Sequence, residues 1–134
     1  MQHFNSDPKN YNVKLQIFAH EKKIGEFLVA IANSPERMQY GLMNLEHLDS
    51  GNGMLFIFDN SQIINMWMKN TLIPLDMIFI DQNNQIINIK NHAEPLSLQV
   101  IPSIKPAKKV LEINANLSKK LGIQVGQKIV YENF

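Results

Sequence analysis

The amino-acid sequence predicts a mainly β fold (β-rich α+β): a single-domain barrel or sandwich of eight to nine short strands with two short helices. Three observations lead there. Short runs alternate apolar and polar side chains with a period of two, the signature of half-buried strands. Turn-forming clusters such as Asp81-Gln82-Asn83-Asn84 separate those runs at hairpin spacing. Only two segments carry the chemistry of helix starts and stops. A chain of 134 residues fits one domain and buries about two-thirds of its unfolded surface. Residues 1–12, rich in Asn, Asp and Pro, read as a frayed lead-in, and 13–134 as the single β-rich domain.

The elements follow in order. Val13, Leu15, Ile17 and Ala19 share one face of a first strand, and Phe27, Val29 and Ile31 one face of a second over 24–32. The two make a hairpin, with a bulge at Gly25. Ser34 is positioned to cap a helix that Pro35 opens and that runs to Leu42 or Met43. Met54 to Phe58 is an unbroken apolar run, read as a strand buried on both faces. Residues 63–68 form a strand with Asn65, Trp67 and Lys69 on one side. Strands over 76–81 and 85–90 flank the Asp81–Asn84 turn. Leu96, Leu98 and Val100 alternate in a short strand over 96–101, within a proline-bounded stretch that would otherwise be a long loop. Lys109 to Ile113 is a strand. Asn114 caps a helix over 115–121 that Gly122 ends, and 127–131 is the closing strand.

Composition removes whole classes of function. Hydrophobic residues are 45% and charged residues 19%, the reverse of a disordered chain. With no cysteine there is no disulfide, thiolate zinc site or cysteine nucleophile. The net charge is +1 and Arg37 is the sole arginine. Specific nucleic-acid readers use arginine forks, so no nucleic-acid partner is expected. No apolar run reaches the ~18–20 residues of a membrane span, and a monomer is expected. The first residues lack the apolar segment of a signal peptide, and Met1 would fit a start codon added after a removed leader. There is no G-x-S-x-G, glycine-rich phosphate loop, H-E-x-x-H or EF-hand pattern, so neither a cofactor nor a metal is expected. The histidines at 3, 20, 47 and 92 fall in tails, turns and loops.

One run is not generic. Trp67-Met68-Lys69-Asn70-Thr71-Leu72-Ile73-Pro74-Leu75-Asp76 resembles the signature of the bacterial and archaeal domain-of-unknown-function 192 family. Pro35-Glu36-Arg37, Gly41-Leu42-Met43, Gly53-Met54-Leu55-Phe56, Ala93-Glu94-Pro95, Val110 to Ala115 and Leu121-Gly122-Ile123 support the resemblance in the same order. Asn116 stands where the family commonly has glycine, Gln127 where the closing turn often has an acid, and His92 where histidine is not expected. The resemblance implies a compact β-rich domain with two short helices. Because members often carry an export signal or lipid anchor, it also implies an extracytoplasmic setting (periplasm or envelope) if a leader was removed. It implies no activity.

The candidate site is a binding cleft around the Trp67–Asp76 stretch. Trp67 offers a flat apolar face, Lys69 a point charge, Asn70 and Thr71 directional hydrogen bonds, and Asp76 an acceptor. Arg37, Glu94 and Glu112 complete the set of ligand-binding candidates, and no catalytic residue is assigned. Glu112 lies among Val110, Leu111 and Ile113, so burial would raise its pKa unless Lys69 or Arg37 stands beside it. Arg37 does not suit the first turn of its helix, and a carboxylate at Glu112 or Asp76 is its expected partner. Residues 91–108 are expected to cover the site as a semi-rigid flap. The methionines at 38, 43, 54, 66, 68 and 77 read as core filler. The leading expectation is a binding module for a small polar ligand or a partner segment, with Trp67 part-exposed at a concave surface. Two alternatives stand beside it: a hydrolase using Glu112 or Asp76 as general acid or base, and a structural domain that docks a protein partner.

Overall fold

The computed structural model describes residues 9–132. Residues 1–8 of the expected lead-in, His3 among them, and residues 133–134 lie outside the described residues. Within it, Tyr11 packs against the core and the Lys9 ammonium sits 5.3 Å from the centre of the Tyr40 ring.

The fold is mostly β, with nine strands and two short helices among the described residues. Strands β1 (Val13–Ala19) and β2 (Lys22–Ala32) form the expected hairpin. Ile17 faces Gly25 and Phe18 faces Lys23, which leaves Ile24 as the extra residue of a bulge beside Gly25. Helix α1 (Pro35–Tyr40) is capped by the Ser34 hydroxyl, which accepts the Arg37 N–H at 3.3 Å. It stops earlier than expected because Gly41 takes a φ of +53°, and a Cβ there would stand 3.2 Å from the Phe56 ring. The chain then crosses over to β3 (Asn52–Gln62), which pairs parallel with β2 through Val29 and Gly53.

The strip that follows corrects two expectations. Instead of a strand over 63–68 there is only β4 (Asn65–Met66), and instead of one over 96–101 only β7 (Ile101–Pro102), with which β4 pairs. Leu96, at a φ of +67°, turns the chain at the start of the second segment, and Asn70, at +54°, turns it just past the end of the first. The two are joined irregularly, by Met68 N–H to the Ser97 carbonyl at 3.0 Å and Leu96 N–H to the Thr71 carbonyl at 3.0 Å.

Strands β5 (Leu75–Ile80), β6 (Ile86–Ala93), β8 (Ala107–Asn114) and β9 (Lys128–Tyr131) complete the sheet, in the order β6-β5-β8-β3-β2-β1-β9. Asp81 Oδ1 accepts the N–H groups of Asn83 and Gln85, which makes the β5–β6 turn the sequence indicates. The second helix, α2 (Leu117–Leu121), is shorter than expected. Asn114 does not cap it; Asn114 ends β8 and its side chain donates to the Leu48 carbonyl. Gly122 does end it, at a φ of +77°.

The outer strands meet at one end. Ile86 N–H donates to the Gln127 carbonyl at 2.8 Å, and Ile129 N–H to the Asn84 carbonyl at 2.9 Å. The sheet is therefore curled into a partly closed barrel, which resolves the choice between barrel and sandwich. Leu15, Ile17, Val29, Leu55, Ile78, Leu111 and Ile129 fill one face. Met54, Phe56, Met77, Phe79 and Val110 lie on the other, covered by Leu42, Leu45, Leu48, Ile64 and Met68. No helix among the described residues is long and apolar enough to cross a membrane.

The packing of β3 against β8 leaves no room behind Gly53. A Cβ there would lie 2.7 Å from the Glu112 carbonyl oxygen and 3.0 Å from Ile113 Cγ2. Gly53→Ala must therefore push β3 off β8, and urea denaturation is expected to register a loss of about 1–3 kcal/mol. An unchanged midpoint would mean that the strands slide apart freely.

Candidate functional site

The strand faces decide what can meet what. On β8, Val110 and Glu112 share the face of Met54 and Met77, while Leu111 and Ile113 point into the barrel. On β5, Asp76 alternates with Met77 and so stands on the side of Ile78. Asp76 and Glu112 are thus on opposite faces of one sheet and do not form a carboxylate pair.

Asp76 is 0% exposed and both its oxygens are engaged. Oδ1 accepts the N–H of His92 at 2.8 Å and of Asn116 at 3.2 Å, and Oδ2 accepts the N–H of Ser118 at 2.9 Å. It holds the end of β6 and the start of α2, the role expected of Asn114. His92 contributes its backbone and leaves its ring exposed.

Glu112 is only 4% exposed, and among the described residues no hydrogen bond or ion pair reaches its carboxyl group. Neither Lys69 nor Arg37 stands beside it, so burial acts alone and pushes the carboxyl from 4.5 up to about 8. It lines a cleft of about 260 Å³ between the sheet, the α1–Gly41 turn and the β4–Thr71 strip. The walls are largely aromatic and thioether, from Tyr40, Phe56, Phe58, Met66 and Trp67. Gln39, Asn65, Lys69 and Thr71 supply the other polar groups.

Four of the sequence candidates therefore meet: Trp67, Lys69, Thr71 and Glu112. Trp67 is 45% exposed, as a concave recognition surface requires, and the Lys69 ammonium lies 5.2 Å from the centre of its ring. Thr71 is buried and its hydroxyl donates to the Lys69 carbonyl at 3.1 Å, which fixes the turn carrying the lysine. Asn70 braces the rim from behind: its carbonyl accepts the Asn44 N–H at 2.8 Å and its side chain reaches the Met43 sulfur.

The remaining candidates stand apart from the cleft. Asp76 is on the far face. Arg37 is exposed, pairs with neither Glu112 nor Asp76, and lines a separate hollow of about 650 Å³ beyond Tyr40 and Gly41. That hollow is larger, yet its Glu36 and Arg37 are exposed and its Lys9 is only half-buried, so none is buried as Glu112 is. Glu94 is exposed past the end of β6 and does not line the cleft. The segment 91–108 is a brace rather than a flap: it bonds to 64–71 along its length, and none of its residues lines the cleft. Among the described residues no group of His, Asp or Glu converges as a metal site would need.

Periodicity alone did not reveal the contribution of Met38, Gln39, Tyr40 and Met43. The crossover between parallel β2 and β3 lays them over Glu112. Met54, Met68 and Met77 are core filler, whereas Met38, Met43 and Met66 line the cleft.

The structure is thus a partly closed β-barrel in which a buried acid, without a partner among the described residues, lies under an aromatic rim. The chain belongs to the domain-of-unknown-function 192 family (DUF192, "Uncharacterized ACR"), whose sequence pattern it matches over residues 16–131. It is similar to a solved Sinorhizobium meliloti 1021 protein assigned provisionally as a transcription regulator. That match has 34% identity and a TM-score of 0.86, covering 90% of this chain and 95% of that one. It is also similar to a Novosphingobium aromaticivorans DSM 12444 protein of unknown function, with 26% identity, a TM-score of 0.85 and 97% of each chain covered. No functionally curated protein matches it.

Proposed function

We propose that this domain is a non-enzymatic binding module that holds a small polar ligand in the cleft over Glu112. The observation that carries this reading is the Glu112 carboxyl group, buried at the cleft and without a partner among the described residues. Native chains rarely leave a buried ionisable group unsatisfied, because the desolvation is uncompensated. A ligand that bonds it supplies the missing partner. The half-exposed indole and the lysine at the rim give such a ligand an apolar wall and an opposite charge.

The test is a library of polar metabolites screened by thermal shift, with binding mapped by amide chemical shifts. A true ligand perturbs 38–43, 65–71 and 112, and loses affinity with Trp67→Ala. That substitution should cost only about 1 kcal/mol of stability, since the ring is half exposed. A ligand that binds Trp67→Ala and wild type alike, or perturbs β1 and β9 instead, sinks the reading.

A second reading, a protein-interaction domain, draws on one observation. Leu96, Leu98, Val100 and Ile104 are each more than half exposed. Under the first reading, Leu98→Asp with Ile104→Asp leaves ligand affinity unchanged; a loss would tie that segment to recognition. The role assigned provisionally to the S. meliloti relative gains little support from a chain with one arginine and a net charge of +1. An extracytoplasmic setting remains part of the proposal on the family resemblance, and fractionation of cells expressing the full-length gene tests it.

A further inference from the structure

The cleft contains one acidic and one basic side chain that do not pair with each other. Glu112 is buried beneath it, and Lys69 is exposed at its rim over the Trp67 ring. Among the described residues no other charged side chain lines it. Between them lie the rings of Tyr40, Phe56, Phe58 and Trp67 and the thioether of Met66. A ligand bearing only a cation would meet repulsion from Lys69 on entry. One bearing only an anion would be drawn to Lys69 and then meet an acid below. A ligand with both charges, the cation leading, satisfies each group and lays its stem on the aromatic wall.

Resting on the cleft reading above, we propose that the ligand is a small zwitterion with an apolar stem, its ammonium group directed inward to Glu112 and its anionic group outward to Lys69. An ammonium supplies three N–H donors to a carboxyl group that receives none from the described residues. The anion gives Lys69 a partner at the solvent boundary, where its long stem keeps the head hydrated. This is the chemistry of free amino acids and ω-amino acids.

The test uses ω-amino acids from glycine to 6-aminohexanoate, each beside the amine and the acid of the same stem, titrated by calorimetry into wild-type protein. At least one zwitterion is expected to bind about tenfold or more tightly than its matching amine and acid. Glu112→Gln should abolish that binding while leaving the protein folded. Lys69→Met should reduce it and erase the preference for the zwitterion over the plain amine. An acid that binds as well as its zwitterion overturns the proposal, as does binding that survives in Glu112→Gln. If another polar compound from the metabolite screen occupies the cleft and no member of the series binds, the zwitterion assignment fails and the binding-module reading stands. If nothing perturbs the cleft, both fall.

Discussion

Asp76→Ala is expected to lower folding stability by about 3–5 kcal/mol, among the largest single losses available in this chain. The carboxyl group is fully buried and accepts three backbone N–H groups from two distant segments, His92 at the end of β6 and Asn116 and Ser118 at the start of α2. Removing it leaves all three donors without their acceptor, and the buried Ser118 N–H without solvent to replace it. Asp76→Asn should do less harm. Its one carbonyl oxygen can still serve the two donors on Oδ1, while its NH2 group opposes the Ser118 N–H. Urea denaturation followed by Trp67 fluorescence and far-UV circular dichroism would check both variants. Lys69 lies with the cleft on the other side of the sheet, so Lys69→Ala and Asp76→Ala should add within about 0.5 kcal/mol. A coupling larger than that would mean the two groups communicate through the sheet and would reopen Asp76 as part of the site.

Much of the fold was legible because regular strands advertise themselves twice, by alternation and by turn chemistry. Val13 to Ala19, the Asp81–Asn84 hairpin and Gly122 after α2 all appear where local rules place them. The failures share a cause. At 63–68 and 96–101 the alternation is present, but Leu96 adopts a left-handed backbone angle and the hydrogen bonds run irregularly between the two segments. Periodicity reports which side chains are buried; it does not report where the backbone donors go. The start of α2 fails for a related reason. A helix can be capped by a residue remote in sequence, and Asp76 reaches it from β5.

The site was legible only where it coincided with a strand face. The two-residue period of the strand over 109–113 places Glu112 on the face of Val110 and away from Leu111, as the structure has it. What could not be read was pairing register, which sets Met77 rather than Asp76 opposite Glu112. Register also decides that the α1–Gly41 turn covers Glu112, because β2 and β3 run parallel and their crossover must lie on one side of the sheet. Arg37 was assigned a carboxylate partner on charge alone. Its exposed position on a six-residue helix leaves it hydrated instead.

Glu112→Gln carries the other large effect, and its sign depends on pH. The folded protein holds this carboxyl at about 8 against 4.5 for the free group, with burial as the cause. Below pH 4.5 the group is protonated in both folded and unfolded chains and contributes no difference. As pH rises from 4.5 toward 8 the unfolded chain releases the proton while the folded chain retains it, so folding binds a proton and stability falls. The gap between 4.5 and about 8, at ~1.4 kcal/mol per pH unit, sets an upper bound of about 5 kcal/mol on the loss. Glutamine keeps the shape and cannot ionise. The variant is therefore expected to match wild type near pH 4 and to exceed its stability progressively up to pH 8, as measured by urea midpoints across that range. The same substitution removes the proposed anchor for a ligand. A change that strengthens the fold at neutral pH and abolishes binding is what separates a group retained for recognition from one retained for structure. If Glu112→Gln instead weakens the protein at pH 8, the carboxylate has a structural partner, and the cleft loses the acid on which its proposed chemistry rests.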